Sequence, residues 1–163
     1  MTKNEITIEK DDYTITTDKT KMDIPYIHYY LSTESYWGKG IPLDIVRRSV
    51  ENSLTFGVFY QDRQVGFARI VSDFATVAYL GDVFIAQDHR GKGLSKWLME
   101  QVMAHPGLQG LRRWILLTRD AHELYKQYGW KSIASPDRWM EVHNPDVYQS
   151  SDRKGAAGSP SVL

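Results

Sequence analysis

From Asp82 to Leu94 the chain reads Asp-Val-Phe-Ile-Ala-Gln-Asp-His-Arg-Gly-Lys-Gly-Leu: a strand-like run, two glycines one residue apart, and then at once an amphipathic helix. The order confines the chain to folds in which a sheet strand hands over to a helix packed on that sheet. The first turn of a helix carries amide donors that the helix itself does not use, so backbone amides from His89 to Ser95 can converge on a phosphate. Arg90 and Lys92 add positive charge. The same glycines also suit a helix entrance that merely needs small residues, and on their own they do not choose between the two.

The flanking sequence supplies the rest of an α/β layer. Ile6, Ile8, Tyr13 and Ile15 have alternating strand character around the polar turn 9–12. Residues 26–36 read as an aromatic-rich helix or helix-loop, with Ile27, Tyr30 and Leu31 at helical intervals. Pro42 introduces a second helix over 43–50, where Leu43, Val46 and Val50 share one side. Period two then returns, with 55–60 and 65–71 flanking 61–64 as an antiparallel hairpin and 77–85 as a further strand. In the helix 94–103, Leu94, Trp97, Leu98 and Val102 form one apolar stripe. Segment 114–117 predicts a central strand, 121–128 a helix stopped by Gly129, and 139–142 a final strand around Trp139.

Composition narrows the chemistry. A length of 163 residues suits one domain, placed at 1–150, followed by a tail at 151–163 whose pattern is neither helical nor strand-like and which is expected to be flexible. The sequence contains no cysteine, which removes disulfides, thiol nucleophiles and a cysteine ping-pong route. Its five histidines lack metal-ligand spacing, so no metal is expected. Lys and Arg balance Asp and Glu at 20 each, so no net field favours nucleic acid. Without a secretory leader or a run of roughly 18–20 apolar residues, a soluble cytoplasmic protein with no membrane partner is the expectation.

The glycine segment lacks the Gly-x-Gly-x-x-Gly of a Rossmann turn and the Lys-Ser/Thr ending of a P-loop. It resembles instead the acetyl-coenzyme A motif of the GNAT superfamily of N-acetyltransferases, Gln/Arg-x-x-Gly-x-Gly/Ala, with Asp88, Gly91 and Gly93 at the matching positions. Asp88 departs from the usual Gln or Arg. A second segment is similar to the superfamily's Ala-x-x-Leu-Tyr-x-x-x-Gly-Phe, matched by Ala121, Leu124, Tyr125, Gly129 and Trp130. The asparagine often found shortly before that helix is not evident. The resemblance implies a GNAT-like single domain with a mixed central sheet flanked by helices.

It also implies an activity, transfer of acetyl from acetyl-coenzyme A to a primary amine by direct attack in a ternary complex. Phosphates would rest on His89, Arg90, Gly91, Lys92, Gly93, Leu94 and Ser95, and pantetheine would run beside Val83, Phe84 and Ile85. The ring of Phe84 could equally fill the core. Direct attack needs a neutral amine, a held carbonyl and a proton for the departing sulfur. In the superfamily a tyrosine matching Tyr125 often gives that proton, and an acidic residue near this strand often acts on the amine. Asp82, read as sharing a face with Ala78, Leu80 and Phe84, is the candidate here, with Asp73 and Glu34 behind it.

Tyr29, Tyr30, Glu34, Tyr36 and Trp37 supply aromatic density and one charge for an acceptor pocket, or pack as core. Arg69 either holds an acidic part of the substrate or pairs across the sheet. The acceptor is a small-molecule amine or a peptide or protein amino group. Two other readings stay open: a coenzyme A-binding regulatory module without catalysis, and an acyltransferase that takes a longer acyl-coenzyme A. The final strand around Trp139 either joins a homodimer interface or completes a monomeric core.

Overall fold

The computed structural model describes residues 4–149; the tail expected over 151–163 lies outside them. A six-stranded sheet runs through the molecule in chain order: β1 (Thr7–Lys10), β2 (Tyr13–Thr16), β3 (Leu54–Tyr60), β4 (Arg63–Ser72), β5 (Val77–Ile85) and β6 (Arg113–Leu116). The first five form an antiparallel meander, and β6 joins β5 in parallel. Parallel neighbours need a crossover, and α3 (Leu94–Ala104) supplies it. The other helices are α1 (Ile24–Tyr29), α2 (Leu43–Glu51) and α4 (His122–Lys126).

Local chemistry explains the element ends. Asp23 caps α1 by accepting from the Tyr26 amide, with Pro25 in the first turn. The helix then widens over Tyr30–Glu34, where Ser35 N–H reaches back to the Tyr30 carbonyl. Pro42 sits at the N-cap of α2. The β3–β4 hairpin turns on Gln61 and Asp62 alone, with Gln61 at φ 51°, tighter than the four-residue turn read from sequence.

Two apolar cores lie on opposite faces of the sheet. One packs Phe56, Val58, Ile70 and Leu80 against the α3 stripe of Leu94, Trp97, Leu98, Met99 and Val102, with Tyr125 of α4 at its border. The other packs Ile27, Leu31, Val46 and Val50 against Phe67 and Phe84. Each fully buried aliphatic or aromatic side chain stabilises the fold by about 1.5–3 kcal/mol. Leu43, expected on the buried side of α2, is exposed; Val46 and Val50 do face the core.

The strand expected at 139–142 does not form. Those residues run in irregular backbone, and the Met140 and Val142 side chains are 97% and 104% exposed. Alternation encodes a strand only where an edge is there to receive it, and within the described chain this segment meets none. Among the described residues no helix is long and apolar enough to cross a membrane.

Candidate active site

The site is built where the sheet stops pairing. β5 and β6 are in register from Val77 opposite Arg113 to Leu80 opposite Leu116; β5 then runs on to Ile85 against β4 alone. Beyond Leu80, one edge of β5 is therefore free of the sheet. The divergence coincides with a β-bulge: Phe67 faces Phe84 and Arg69 faces Gly81, so two residues of β5, Asp82 and Val83, stand opposite Ala68. Asp82 carries the left-handed backbone of the bulge at φ 52°, a conformation that Asp tolerates better than most residues.

The bulge corrects the facial reading of this strand. Ala78 and Leu80 point into the α3 core, whereas Phe84 points into the α1–α2 core. Asp82 goes with Phe84, away from Ala78 and Leu80. Its Oδ2 accepts from Arg69 Nε at 2.6 Å and its Oδ1 from Trp37 Nε1 at 3.0 Å. The ion pair is largely sequestered, with 19% of the Arg69 side chain and 14% of the Asp82 side chain exposed. With one carboxylate oxygen on Arg69 and the other on Trp37, the geometry suits Asp82 to hold an amine N–H, or to fix Trp37, better than to remove a proton. Arg69 resolves as a cross-strand partner, with Nη1 also donating to Ser53 Oγ at 3.3 Å.

After Ile85 the chain passes a short turn and reaches α3. Gly91 and Gly93 lie at φ 74° and 77°, and a Cβ built on either meets nothing within 4 Å. Space is open above both. Gly93 is the N-cap of α3 and no side chain caps the helix; its first bond is Trp97 N–H to Gly93 C=O at 3.0 Å. The amides of Leu94, Ser95 and Lys96 thus precede the first helical bond, beside an exposed Lys92. This is the donor set and clearance that a diphosphate requires.

Two predicted cofactor residues act through scaffolding. His89 is buried, its Nδ1 bonded to Tyr13 Oη at 2.8 Å, and Lys92 Nζ donates to the same oxygen at 3.4 Å. Arg90 donates through Nε to the Ile85 carbonyl at 2.9 Å and through Nη2 to Tyr30 Oη at 2.9 Å. Their side chains pin the loop, and their own amides, expected to face a phosphate, are bonded to the Ala86 and Gln87 carbonyls at 2.9 and 3.3 Å. Asp88, in place of the motif's Gln or Arg, pairs at 3.7 Å with the exposed Arg63.

Phe84 fills the core with its ring, whereas Tyr30 is mostly buried yet lines a cavity of about 330 Å³ together with Tyr29 and Glu34. The Phe84 and Tyr30 rings stack at 3.7 Å and 8° inside the α1–α2 core, with Tyr30 6% exposed. Helical spacing puts Tyr30 with Ile27 and Leu31, and all three are buried, while the adjacent Tyr29 faces out. Tyr29 and Glu34 are exposed at the end of this helical segment. Asp73 is a turn former: its carboxylate accepts from the amides of Ala75, Thr76 and Val77 and from the Thr76 hydroxyl, which holds its pKa far below the usual range.

Tyr36 and Trp37 connect the two sides of the divergence. Trp37 is tied to Asp82 on β5, while Tyr36 Oη accepts from the Arg119 amide at 3.1 Å and the Arg119 guanidinium lies over the Tyr36 ring at 3.9 Å. The two rings meet edge to face at 5.0 Å. Arg119 was not singled out in the sequence and Tyr13 only as a strand residue; the tertiary arrangement alone gives them these partners. Tyr125 is 8% exposed and packs on Trp130 at 5.9 Å. Burial first, then the nearby Tyr36 phenol and Asp120 carboxylate, push its pKa up to about 12. It therefore keeps its proton at neutral pH. A cavity of about 290 Å³ lies against Tyr125, lined by β6, His122, Lys126 and 130–133. Among the described residues no cluster of three His, Asp or Glu side chains could hold a metal ion.

Comparisons with known proteins agree with this architecture. Residues 51–132 match the model of the acetyltransferase (GNAT) domain. A protein of Gibberella zeae that bears a provisional acetyltransferase name is 30% identical over 151 residues, covering 78% of this chain and 84% of that protein. The crystal structure of a GNAT-family protein from Xanthomonas campestris pv. campestris superposes with a TM-score of 0.83 at 51% identity, over 85% of this chain and 97% of that one. A GNAT-family acetyltransferase from Elizabethkingia anophelis, solved with acetyl-CoA bound, shares the fold at a TM-score of 0.57 and 16% identity, over 83% and 90% of the two chains. With the matched domain spanning the bulged strand, the glycine loop and Tyr125, this chain belongs to the GNAT acetyltransferase family.

Proposed function

We propose that the protein transfers an acetyl group from acetyl-coenzyme A to a primary amine by direct attack in a ternary complex. The observation that carries this reading is the free edge of β5 from Gly81 to Ile85 leading into the uncapped start of α3, with open space above Gly91 and Gly93. Backbone donors at Leu94, Ser95 and Lys96 would hold the diphosphate, and the free edge of β5 at Val83 and Ile85 would meet the amide groups of the pantetheine arm. The relative from Elizabethkingia anophelis, which binds acetyl-CoA, supports the choice of donor.

The acceptor nitrogen enters neutral, its lone pair forms the C–N bond to the thioester carbonyl, and the C–S bond breaks with its electrons on sulfur. Tyr125 gives its proton to that sulfur, and the proton that the acylated nitrogen sheds on becoming an amide passes to solvent, from which Tyr125 is reprotonated. Asp82, fixed by Arg69 and Trp37, holds the incoming amine, and the exposed Tyr29, Glu34, Tyr36 and Trp37 offer it an aromatic, acidic approach.

Reaction of acetyl-coenzyme A with an amine library, with both acetylated amine and free coenzyme A resolved by mass, tests the reading. Equal amounts of both products are expected. Binding without acetylated amine would favour the regulatory module, and turnover only with longer acyl donors would favour the broader acyltransferase.

A further inference from the structure

Leu80 and Leu116 are the last residues at which β5 and β6 pair. Beyond them the two chains part, and each carries a charge on its own side of the opening: Asp82 along β5, and Arg119 just past the end of β6. The Tyr36–Trp37 pair spans the gap between them. Trp37 Nε1 donates to Asp82 Oδ1 at 3.0 Å, the Trp37 and Tyr36 rings meet edge to face at 5.0 Å, and the Arg119 guanidinium lies 3.9 Å over the Tyr36 ring. Both rings are exposed in part. Together they make an aromatic platform with a carboxylate at one end and a guanidinium at the other.

Arg119 is fixed in place with its donors unused. Its amide donates to Tyr36 Oη at 3.1 Å, so backbone and side chain both hold the residue to that ring. Among the described residues its guanidinium makes no hydrogen bond: the Asp120 carboxylate stands 3.9 Å from Nη2, beyond hydrogen-bond reach, and both side chains of that pair are exposed. The neighbouring cations are already engaged. Arg69 is held by Asp82 and Ser53, Arg90 by the Ile85 carbonyl and Tyr30, and Lys126 by Glu123 at 2.7 Å. A guanidinium seated on a ring face keeps its N–H groups for an oxyanion at its edge, where it can bind two oxygens at once.

We propose that the acceptor is a small zwitterion, an amine whose far end is a carboxylate or phosphate, lying along Trp37 and Tyr36 with its amine N–H on Asp82 and its anion on Arg119. The proposal rests on the reading of the protein as an amine acetyltransferase and names the class of amine. Because two rings separate the charges, the anion is carried on an apolar linker of several carbons and not on the carbon that bears the amine. The linker covers the rings, which removes apolar surface from water on both sides. The anion takes no part in the bond changes; Arg119 binds and orients, and is a specificity residue.

Acetyl transfer to aminocaproate, to its primary amide and to aminopentyl phosphate tests this, because the three amines differ only at the far end. The expected result is a kcat/KM at least about tenfold higher for one of the anions than for the amide, and the preferred anion tells carboxylate from phosphate. Arg119→Gln should bring that ratio to within about twofold of one, and Arg119→Lys, which restores the charge, should keep part of it. A parent that does not distinguish anion from amide overturns the proposal. So does an Arg119→Gln variant that slows all three amines alike and keeps the parental ratio, since Arg119 would then only brace Tyr36. If the protein acetylates no amine, the assigned reaction fails, and calorimetry of aminocaproate and aminopentyl phosphate with the coenzyme A-loaded parent and Arg119→Gln decides the platform. Binding of either anion at least about fivefold weaker in the variant upholds it; equal affinity for both proteins, or none for either, overturns it.

Discussion

Adding a methyl group to both Gly91 and Gly93 should separate ligand binding from folding, because the structure gives each a different cost. Neither Cβ would meet an atom within 4 Å, so Gly91→Ala with Gly93→Ala introduces no clash in the free protein. The penalty is backbone strain at φ 74° and 77°, about 1–2 kcal/mol per residue, offset in part by a stiffer unfolded chain worth about 0.4–1 kcal/mol each. A net loss of about 2 kcal/mol lowers Tm by about 4–8 °C in a domain of this size. Binding loses more. The two methyls occupy the open space over the loop, and displacing two charge-assisted hydrogen bonds at about 1.5–3 kcal/mol each weakens acetyl-coenzyme A at least roughly 100-fold. Titration calorimetry beside thermal unfolding reads both quantities. Gly110→Ala is the control, at φ 75° with nothing near its Cβ and away from the loop; it should soften the fold and spare affinity. A folded double variant with parental affinity would show that phosphates do not bind here.

Tyr125→Phe keeps the packing on Trp130 but removes the proton, so single-turnover acetyl transfer should fall about 100-fold with cofactor affinity and Tm retained; the parent rate in an intact complex would exclude it as general acid. Because burial raises the Tyr125 pKa in the folded state to about 12 from 10.0, the stability it contributes is complete below pH 10 and is lost as pH rises towards 12; alkaline melts should show a shallower decline for Tyr125→Phe than for the parent. Asp82→Asn leaves the Arg69 guanidinium without its counter-charge at a largely buried site, which should cost about 3 kcal/mol of stability and raise the KM for the amine more than that for acetyl-coenzyme A. An unchanged melting temperature would mean that the pair is not held as described.

The parts of this fold that could be read from sequence are those whose causes are local. A strand ending in Gly-Lys-Gly and followed by Leu94, Trp97 and Leu98 fixes its own sequence of elements, and the hairpin and α3 formed where alternation and helical spacing put them. Parity along β5 was not legible, since one extra residue at Asp82 reverses every side chain beyond it and leaves no mark in the composition of the strand. Tyr30 and Tyr29 differ in fate as helical spacing sets them, Tyr30 turning inward with Ile27 and Leu31 and Tyr29 outward. Trp139–Val142 reads as a strand from its own residues, but strand formation also needs a receiving edge. Arg119 and Tyr13 draw their roles from partners 83 and 76 positions away in the chain.

One irregularity accounts for much of the site. Without the bulge, the parity of Ala78 and Leu80 would carry Phe84 into the α3 core and send Val83 and Ile85 to the other face. With it, Phe84 fastens the end of β5 to α1 through Tyr30, Asp82 fastens it to the Trp37 loop, and Arg90 grips the Ile85 carbonyl. The strand is therefore held by side chains just where it gives up the hydrogen bonds of a neighbouring strand. Backbone groups left over by such an arrangement must find another partner or remain in water. That is the condition under which an extended amide-bearing ligand can take the place of β6 without first unfolding anything, and the same logic makes Asp82 a residue whose loss would disturb the shape of the cleft as well as its charge.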